Sequence, residues 1–188
     1  MKSDMFLKEL NYIKDENIKK STKVLLDMLP DYFYNIAASS TGKYHPTFSL
    51  GDKGLVRHVK ASVRIAIELF NDESIHKFSS IEQDLILMSL ILHDGLKKGL
   101  VESDYTSFNH PVIMAKFICD NKDKLFLSDE YLMIITNAIS SHMGPWNTDK
   151  IGNTLPLPST ALERFVHMCD YLSSRRFLDI KFINNEIE

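Results

Sequence analysis

The sequence has few of the residues that interrupt regular structure. Its 188 residues include only seven glycines and six prolines, and most of these fall between segments of helical periodicity rather than inside them. It also lacks a long apolar run, since the strongest one, residues 85–92, is far too short to span a bilayer. The first residues lead into a charged segment without the apolar core of a signal peptide. We therefore expect a cytoplasmic protein with no membrane partner.

The cysteine count and the small net charge argue against a disulfide-stabilised protein and against a protein that binds long duplex nucleic acid. Cys119 and Cys169 lie within apolar helical patterns, which predicts buried, reduced thiols rather than a disulfide. The formal charge of −3 provides no basic field for long duplex nucleic acid, although small nucleotides and short oligonucleotides stay open as ligands. Hydrophobic content of 44% with 25% charged residues is typical of a globular domain.

Apolar residues recur at helical spacing along most of the chain, and no two segments alternate as paired strands do. The pattern predicts one all-α domain of about seven helices, and Ser80–Gln83 and Thr160–Glu163 have capping-box spacing. The helices are expected at about 5–20, 22–37 with an interruption at Pro30, 55–70, 80–93, 111–121, 128–142 and 160–177. We divide the chain into an N-terminal helical extension, 1–40, and a main domain, 41–188.

Several histidines and aspartates stand where a helix ends or where an apolar helical stripe runs. They are His58, His93, Asp94, His110, His142 and Asp170. His93 and Asp94 close the most apolar helix, where a buried charge needs compensation. A metal ion supplies it, because it binds neutral imidazole and carboxylate together. Each residue alone also fits an ordinary role as a core-edge histidine or a solvated carboxylate, but the set together favours a metal centre.

The order of these residues resembles the signature of the HD-domain superfamily of metal-dependent phosphohydrolases. The likeness is carried by the segments 54–58, 92–97, 108–110 and 141–144. In the second segment the chain reads Leu-His-Asp-Gly-Leu-Lys where the family has Leu-His-Asp-Leu-Gly-Lys. The additional His110 and His142 are similar to the two-metal branch, most of all to the HD domain of bacterial 3′-to-5′ exoribonucleases. Those domains also carry a histidine three residues before the last aspartate, as His167 precedes Asp170 here.

The resemblance implies a helical bundle that holds two divalent cations. One cation would bind to His58, His93, Asp94 and Asp170, and the other to His110 and His142, with Asp94 bridging the pair. Imidazole and carboxylate ligands without thiolate suit Mn, Fe, Ni or Zn. The implied reaction is hydrolysis of a phosphoester in a nucleotide or short oligonucleotide by metal-activated hydroxide.

The same resemblance, with the local chemistry, suggests further roles. Asp94, Lys97 and His167 are the candidate catalytic residues, and His45, Lys97 and Trp146 are the candidate substrate contacts. Lys97 could bind a phosphate oxygen, His167 could protonate a leaving oxygen, and Trp146 could stack on a base. Each has a plain alternative, namely a solvated lysine, a buried or ligand-supporting histidine, or an aromatic residue used only for packing.

Two other functions stay open. Some two-metal HD proteins with the same ligand pattern use a mixed-valent di-iron site to oxidise substrates with O₂, and metal analysis and oxygen consumption separate them from hydrolases. A non-catalytic module could bind nucleotides or partners through a helical surface; complete ligands argue against it, and it would keep its biological activity when Asp94→Ala loses the metal. The N-terminal extension lies outside the resemblance and is a candidate for a cap over the site or for the contact of a homo-oligomer.

Overall fold

The computed structural model describes residues 1–39, 41–178 and 180–187, so the boundary expected at residue 40 lies outside the described residues. The described chain forms seven α-helices: α1 Leu7–Tyr12, α2 Glu16–Met28, α3 Gly54–Phe70, α4 Ser80–Leu92, α5 His110–Asp120, α6 Asp129–Ser141 and α7 Ala161–Ser173. Single turns of 3₁₀ helix occur at Lys2–Phe6, Asp31–Tyr34, Thr47–Ser49 and Lys122–Lys124. The all-α prediction is confirmed.

Helix α4 forms the centre of the core. Every residue from 85 to 92 is at most 1% exposed, and the helix contacts α1, α2, α3, α6 and α7. A helix that is apolar on all sides is stable only when other elements surround it. Phe6, Leu10 and Leu25 of the N-terminal segment belong to the same hydrophobic cluster as α4. The apolar faces of the first two helices are therefore part of the core.

The first helix was predicted to run to about residue 20, but α1 ends at Tyr12. The reason is a buried carboxylate on α4: Asp84 accepts hydrogen bonds from the backbone N–H groups of Lys14 (3.1 Å) and Asp15 (2.7 Å). The Asp15 side chain then caps α2 by accepting from the backbone N–H of Ile18 at 2.9 Å. A contact between segments far apart in the chain thus divides the segment that the periodicity predicted to be one helix into α1 and the start of α2.

Other helix ends differ from the prediction by smaller amounts. The capping box of α4 is formed by Ser79 and Glu82, one residue earlier than expected, whereas the Thr160–Glu163 box is confirmed. Helix α7 ends at Ser173 rather than near residue 177. Beyond it, the strands β1 Phe182–Ile183 and β2 Glu186–Ile187 pair antiparallel, which the sequence did not predict because two residues are too few to show alternation.

One of the two cysteines is more exposed to solvent than the sequence predicted. Cys169 is buried as predicted, but Cys119 is exposed, because it lies on the solvent side of α5. No helix within the described ranges combines the length and the apolar character that a bilayer crossing needs.

Candidate metal centre

Five helices bring the predicted ligands together. His58 lies on α3, His93 and Asp94 directly follow α4, His110 begins α5, His142 follows α6, and Asp170 lies on α7. The first five are at most 2% exposed, and the Asp170 side chain is 17% exposed. Helix ends carry unsatisfied backbone groups and change chain direction, so they can present side chains inward from several sides of the bundle.

Four ligand atoms form a first group. The Nε2 atom of His58 lies 3.0 Å from Oδ1 of Asp170 and 3.6 Å from Oδ2 of Asp94. The Nε2 atom of His93 lies 3.3 Å and 3.5 Å from the same two oxygens. Atoms that are each bonded to one cation at about 2.0–2.2 Å lie roughly 3.0–3.6 Å apart, so the distance from each imidazole to these oxygens suits a bound ion. The ligand atoms of His58, His93 and Asp94 lie within 4.8 Å of one another, and Asp170 forms a further set with His93 and His142.

The other oxygen of Asp94 belongs to a second group. Its Oδ1 atom lies 3.0 Å from Nε2 of His110 and 3.9 Å from Nε2 of His142. The two histidine Nε2 atoms are 3.3 Å apart. Asp94 therefore directs one carboxylate oxygen into each group. His142 also lies within 4.8 Å of His93 and Asp170, so the two groups adjoin.

The orientation of three of the histidines is fixed by their own backbone. In His93, His110 and His142 the Nδ1 atom lies 2.7 Å from the carbonyl oxygen three residues earlier in the chain. A carbonyl can only accept, so Nδ1 carries the hydrogen and Nε2 presents its lone pair to the site. Such an outer hydrogen bond is the usual support of a metal-binding histidine.

His58 is supported by a side chain that the sequence argument missed. Its Nδ1 lies 3.0 Å from Oγ of Ser173, which itself donates to the carbonyl of Asp170 at 2.8 Å. Because the hydroxyl hydrogen is used in that second bond, Ser173 accepts from Nδ1 and leaves Nε2 of His58 unprotonated. Ser173 lies on the same face of α7 as Asp170, three residues later, and this spacing was the available signal.

The electrostatics keep both carboxylates ionised. Burial acts to raise the pKa of Asp94, but Lys97 and His93 outweigh it and hold that pKa well below its usual value. Burial also opposes ionisation of Asp170, whose pKa is held well below its usual value by His93 and His58. Ionised carboxylate is the form that binds a cation, so the pair is ready for binding over the whole physiological pH range.

The histidines divide into two kinds. Burial lowers the pKa of His142 to about 3 and that of His45 to about 4, so both are neutral at physiological pH. Burial also disfavours charge on His93, but the adjacent Asp94 and Asp170 raise its pKa above the usual value. A cation at the first group would compete with a proton for Nε2 of His93.

The donor set fits a bound cation in two further respects. Nε2 of His93 and Oδ1 of Asp94 are buried and make no hydrogen bond within the part of the chain that the structure describes. The Nε2 atoms of His110 and His142 are both acceptors, so they cannot bond to each other at their 3.3 Å separation. Buried groups of this kind are normally satisfied, and a cation would satisfy all of them.

The remaining candidates line one cavity of about 510 Å³ above these groups. Lys97 binds Oδ2 of Asp94, and the ring centroid of His45 lies 5.7 Å from that of His58. His167 donates from Nδ1 to the carbonyl oxygen of His142 at 2.7 Å, which leaves a lone pair on its Nε2. Trp146 is half exposed at the mouth of the cavity. All the predicted site residues thus lie in or beside this cavity. Lys97 was expected to bind a substrate phosphate, but in the structure its ammonium binds the predicted ligand Asp94.

Comparison with protein families agrees with this geometry. The model of the HD domain matches residues 55–175, which is more than half of the chain. The chain belongs to the HD domain family, whose members are generally metal-binding hydrolases. The matched range contains all six converging histidines and aspartates. No curated protein and no solved structure gave a match.

Proposed function

We propose that the chain is a two-metal phosphohydrolase that cleaves a phosphoester bond in a nucleotide or short oligonucleotide. The observation that carries the proposal is the position of Asp94 between the two groups of ligands. Its Oδ2 lies within 3.6 Å of Nε2 of His58 and His93, and its Oδ1 lies within 3.9 Å of Nε2 of His110 and His142. A carboxylate placed in this way suits two cations that share it. Mn, Fe, Ni and Zn suit the imidazole and carboxylate ligands.

The chain's own residues would hold the reactants and move one proton. When bound, the cations lower the pKa of a coordinated water and offset charge on phosphate oxygens. Lys97 would bind a non-bridging phosphate oxygen through its ammonium, as a point charge. Nε2 of His167 would take up a proton on its lone pair and deliver it to the leaving oxygen, because its Nδ1 is committed as a donor to the carbonyl of His142. His45, neutral and beside His58, would contact the substrate at the edge of the site.

The substrate class is supported by the cavity above the ligands. Its volume of about 510 Å³ is within the usual range for pockets that bind small molecules. It has one lysine near Asp94, one arginine and a tryptophan at the mouth, a combination that suits a phosphate group with an attached base. The presence of His167 in this cavity supports the likeness to the HD domain of 3′-to-5′ exoribonucleases.

Elemental analysis followed by a hydrolysis screen tests the proposal. We expect purified protein to contain two equivalents of transition metal and to hydrolyse nucleotide or dinucleotide esters with the metal found. Asp94→Asn should lose both ions and lower kcat/KM by about a thousandfold or more, because both groups lose an anionic ligand. Asp120→Asn, on the exposed side of α5, is the matched control. Absence of hydrolysis with every metal tested, or oxygen consumption instead, would overturn the proposal.

A second variant tests the number of ions. His110 contributes only to the second group, so His110→Gln should bind one ion with near-normal affinity and lose the other. His58 contributes only to the first group, so His58→Gln should weaken binding of the ion in the first group and leave the ion in the second group bound. If either variant lost both ions in parallel, or if the parent bound a single ion, the two-metal arrangement would be wrong.

A further inference from the structure

Four residues at the mouth of the cavity form an arrangement that the candidate ligands do not explain. Tyr44, Trp146, Tyr171 and Arg175 line the cavity but contribute no atom to either metal-ligand group. They come from three segments: the stretch before α3, the loop after α6, and the end of α7 with the residues following it. We call these four residues the mouth cluster.

The aromatic rings of the mouth cluster are held in a fixed geometry. The rings of Trp146 and Tyr171 stack with centroids 5.1 Å apart and planes only 12° from parallel. The guanidinium carbon of Arg175 lies 4.3 Å from the centroid of Tyr171, 5.9 Å from that of Trp146 and 5.8 Å from that of Tyr44. A guanidinium among aromatic rings at these distances is stabilised by cation–π attraction. The backbone also contributes, since Arg176 N–H donates to the carbonyl of Tyr44 at 2.9 Å.

Large surfaces of this ordered cluster face water. Trp146 is 52% exposed and Tyr44 is 55% exposed, although neither ring is needed to close the hydrophobic core. The Arg175 side chain bonds to Oγ of Ser174 through Nε and Nη2. Its Nη1 makes no hydrogen bond to the residues that the structure describes, so it is a donor available to a ligand. An exposed aromatic surface that is already oriented loses little entropy when a flat ligand stacks on it.

We propose that the mouth cluster is a subsite for the nucleobase of the substrate, which stacks on Trp146 while Arg175 donates from Nη1 to an acceptor on the base. The proposal rests on the proposed function only in placing the phosphate at the Asp94 side of the same cavity. A base is favoured over a second phosphate because the mouth cluster has three aromatic rings and only one cation. That cation, the Arg175 guanidinium, is already stacked on Tyr171. The enzyme would then select nucleoside phosphoesters over alkyl and sugar phosphates.

Trp146 is the only tryptophan of the chain, so its fluorescence reports on this subsite alone. We expect AMP and adenosine to quench it in a saturable manner, and ribose 5-phosphate, which has no base, to leave it unchanged. The titration uses the full chain, first with EDTA and then with added Mg²⁺. Absence of quenching by AMP and adenosine, or equal quenching by ribose 5-phosphate, would overturn the proposal. This experiment needs no turnover, so its result is independent of the proposed reaction.

A kinetic comparison separates the subsite from the chemistry. Thymidine 5′-(p-nitrophenyl phosphate) and methyl p-nitrophenyl phosphate release the same leaving group, and only the first carries a base. Trp146→Ala should lower kcat/KM for the thymidine ester by roughly tenfold to a hundredfold more than for the methyl ester, and Trp146→Phe should restore most of the difference. Ile151→Ala, an 84% exposed residue of the same loop, is the control.

Equal losses on the two esters would contradict the proposal. If the parent protein hydrolysed neither ester with any metal, the proposed function would be contradicted instead, and the fluorescence titration would still decide whether a base binds.

Discussion

Helix α3 carries two buried ionisable clusters on opposite sides. His58 faces the candidate metal centre, and Lys60, two residues later and therefore about 200° around the helix, is 1% exposed. The Lys60 ammonium binds the Glu186 carboxylate of β2 and lies 3.6 Å from Oε2 of Glu9 on α1. In the Lys60 cluster, the chain itself supplies the cation that the buried Glu9 carboxylate needs, and the more exposed Glu186 shares it.

The metal centre is compensated differently. Asp94 and Asp170 are surrounded mostly by imidazoles, which are weak and adjustable sources of positive charge. The comparison shows how a buried carboxylate becomes either structural or functional. A lysine fixed among carboxylates closes a cluster and links three chain segments. Histidines held by their own backbone leave room for an external cation.

Replacing Lys60 should have the largest effect on stability and none on metal content. Lys60→Met leaves Glu9 buried without its cation, and burial already raises the pKa of that carboxyl. We expect a loss of about 3 kcal/mol in the free energy of unfolding, measured by urea denaturation of protein with and without metal. Lys116→Met, at an exposed pair on α5, should change it by less than about 1 kcal/mol. Unchanged stability of Lys60→Met, or loss of metal, would remove the distinction between the clusters.

Gly144 is expected to act on activity through His167. It has a φ of +56°, and a Cβ there would lie 2.3 Å from Cε1 of His167. Gly144→Ala should therefore displace the imidazole and lower kcat by about a hundredfold, but should have little further effect in a His167→Ala background, where the clash is absent. Gly152→Ala has a similar φ of +89° with nothing nearby and controls for backbone strain. Additive losses in the double variant would show that Gly144 acts without His167.

Removing the support of one ligand should weaken metal binding without abolishing it. Ser173→Ala leaves Nδ1 of His58 without its acceptor, so metal affinity should fall by about tenfold to a hundredfold. Competition with a chelating dye measures this change. Ser89→Ala is the matched control, because Ser89 is equally buried and donates to its own helix at 2.8 Å. Equal affinities of the two variants would mean that His58 needs no outer support.

Replacing Lys97 should change metal affinity in the opposite direction from replacing Ser173, and by a smaller factor. Its ammonium binds the Asp94 oxygen that belongs to the first ligand group, so it opposes a cation there. Lys97→Met should raise metal affinity by about tenfold at low salt while lowering the rate of hydrolysis, because the phosphate loses a contact. The neighbouring Lys98→Met, which loses an exposed pair with Glu102, should change neither quantity. Lower metal affinity in Lys97→Met would indicate that Lys97 orients Asp94 rather than competing for it.

Much of the fold could be predicted because helix periodicity and caps are local. The Ser128 and Thr160 caps and the buried 85–92 segment follow from neighbouring residues. The prediction was wrong at residues 13–15, where Asp84, far away in the chain, ends α1 before α2 begins at Glu16. The exposure of Cys119 was also missed, because a helical stripe does not show how much of its edge neighbouring helices cover.

The sequence by itself determined the chemistry: which residues can bind a cation, their order along the chain and the family pattern to which they belong. Only the tertiary structure decided that Asp94 divides its two oxygens between two groups, that Ser173 supports His58, and that Tyr171 and Arg175 stand beside Trp146. The reason is that side-chain type and helical spacing are properties of neighbouring residues. Distances of a few ångströms between five helices depend on how the apolar surface of α4 is packed.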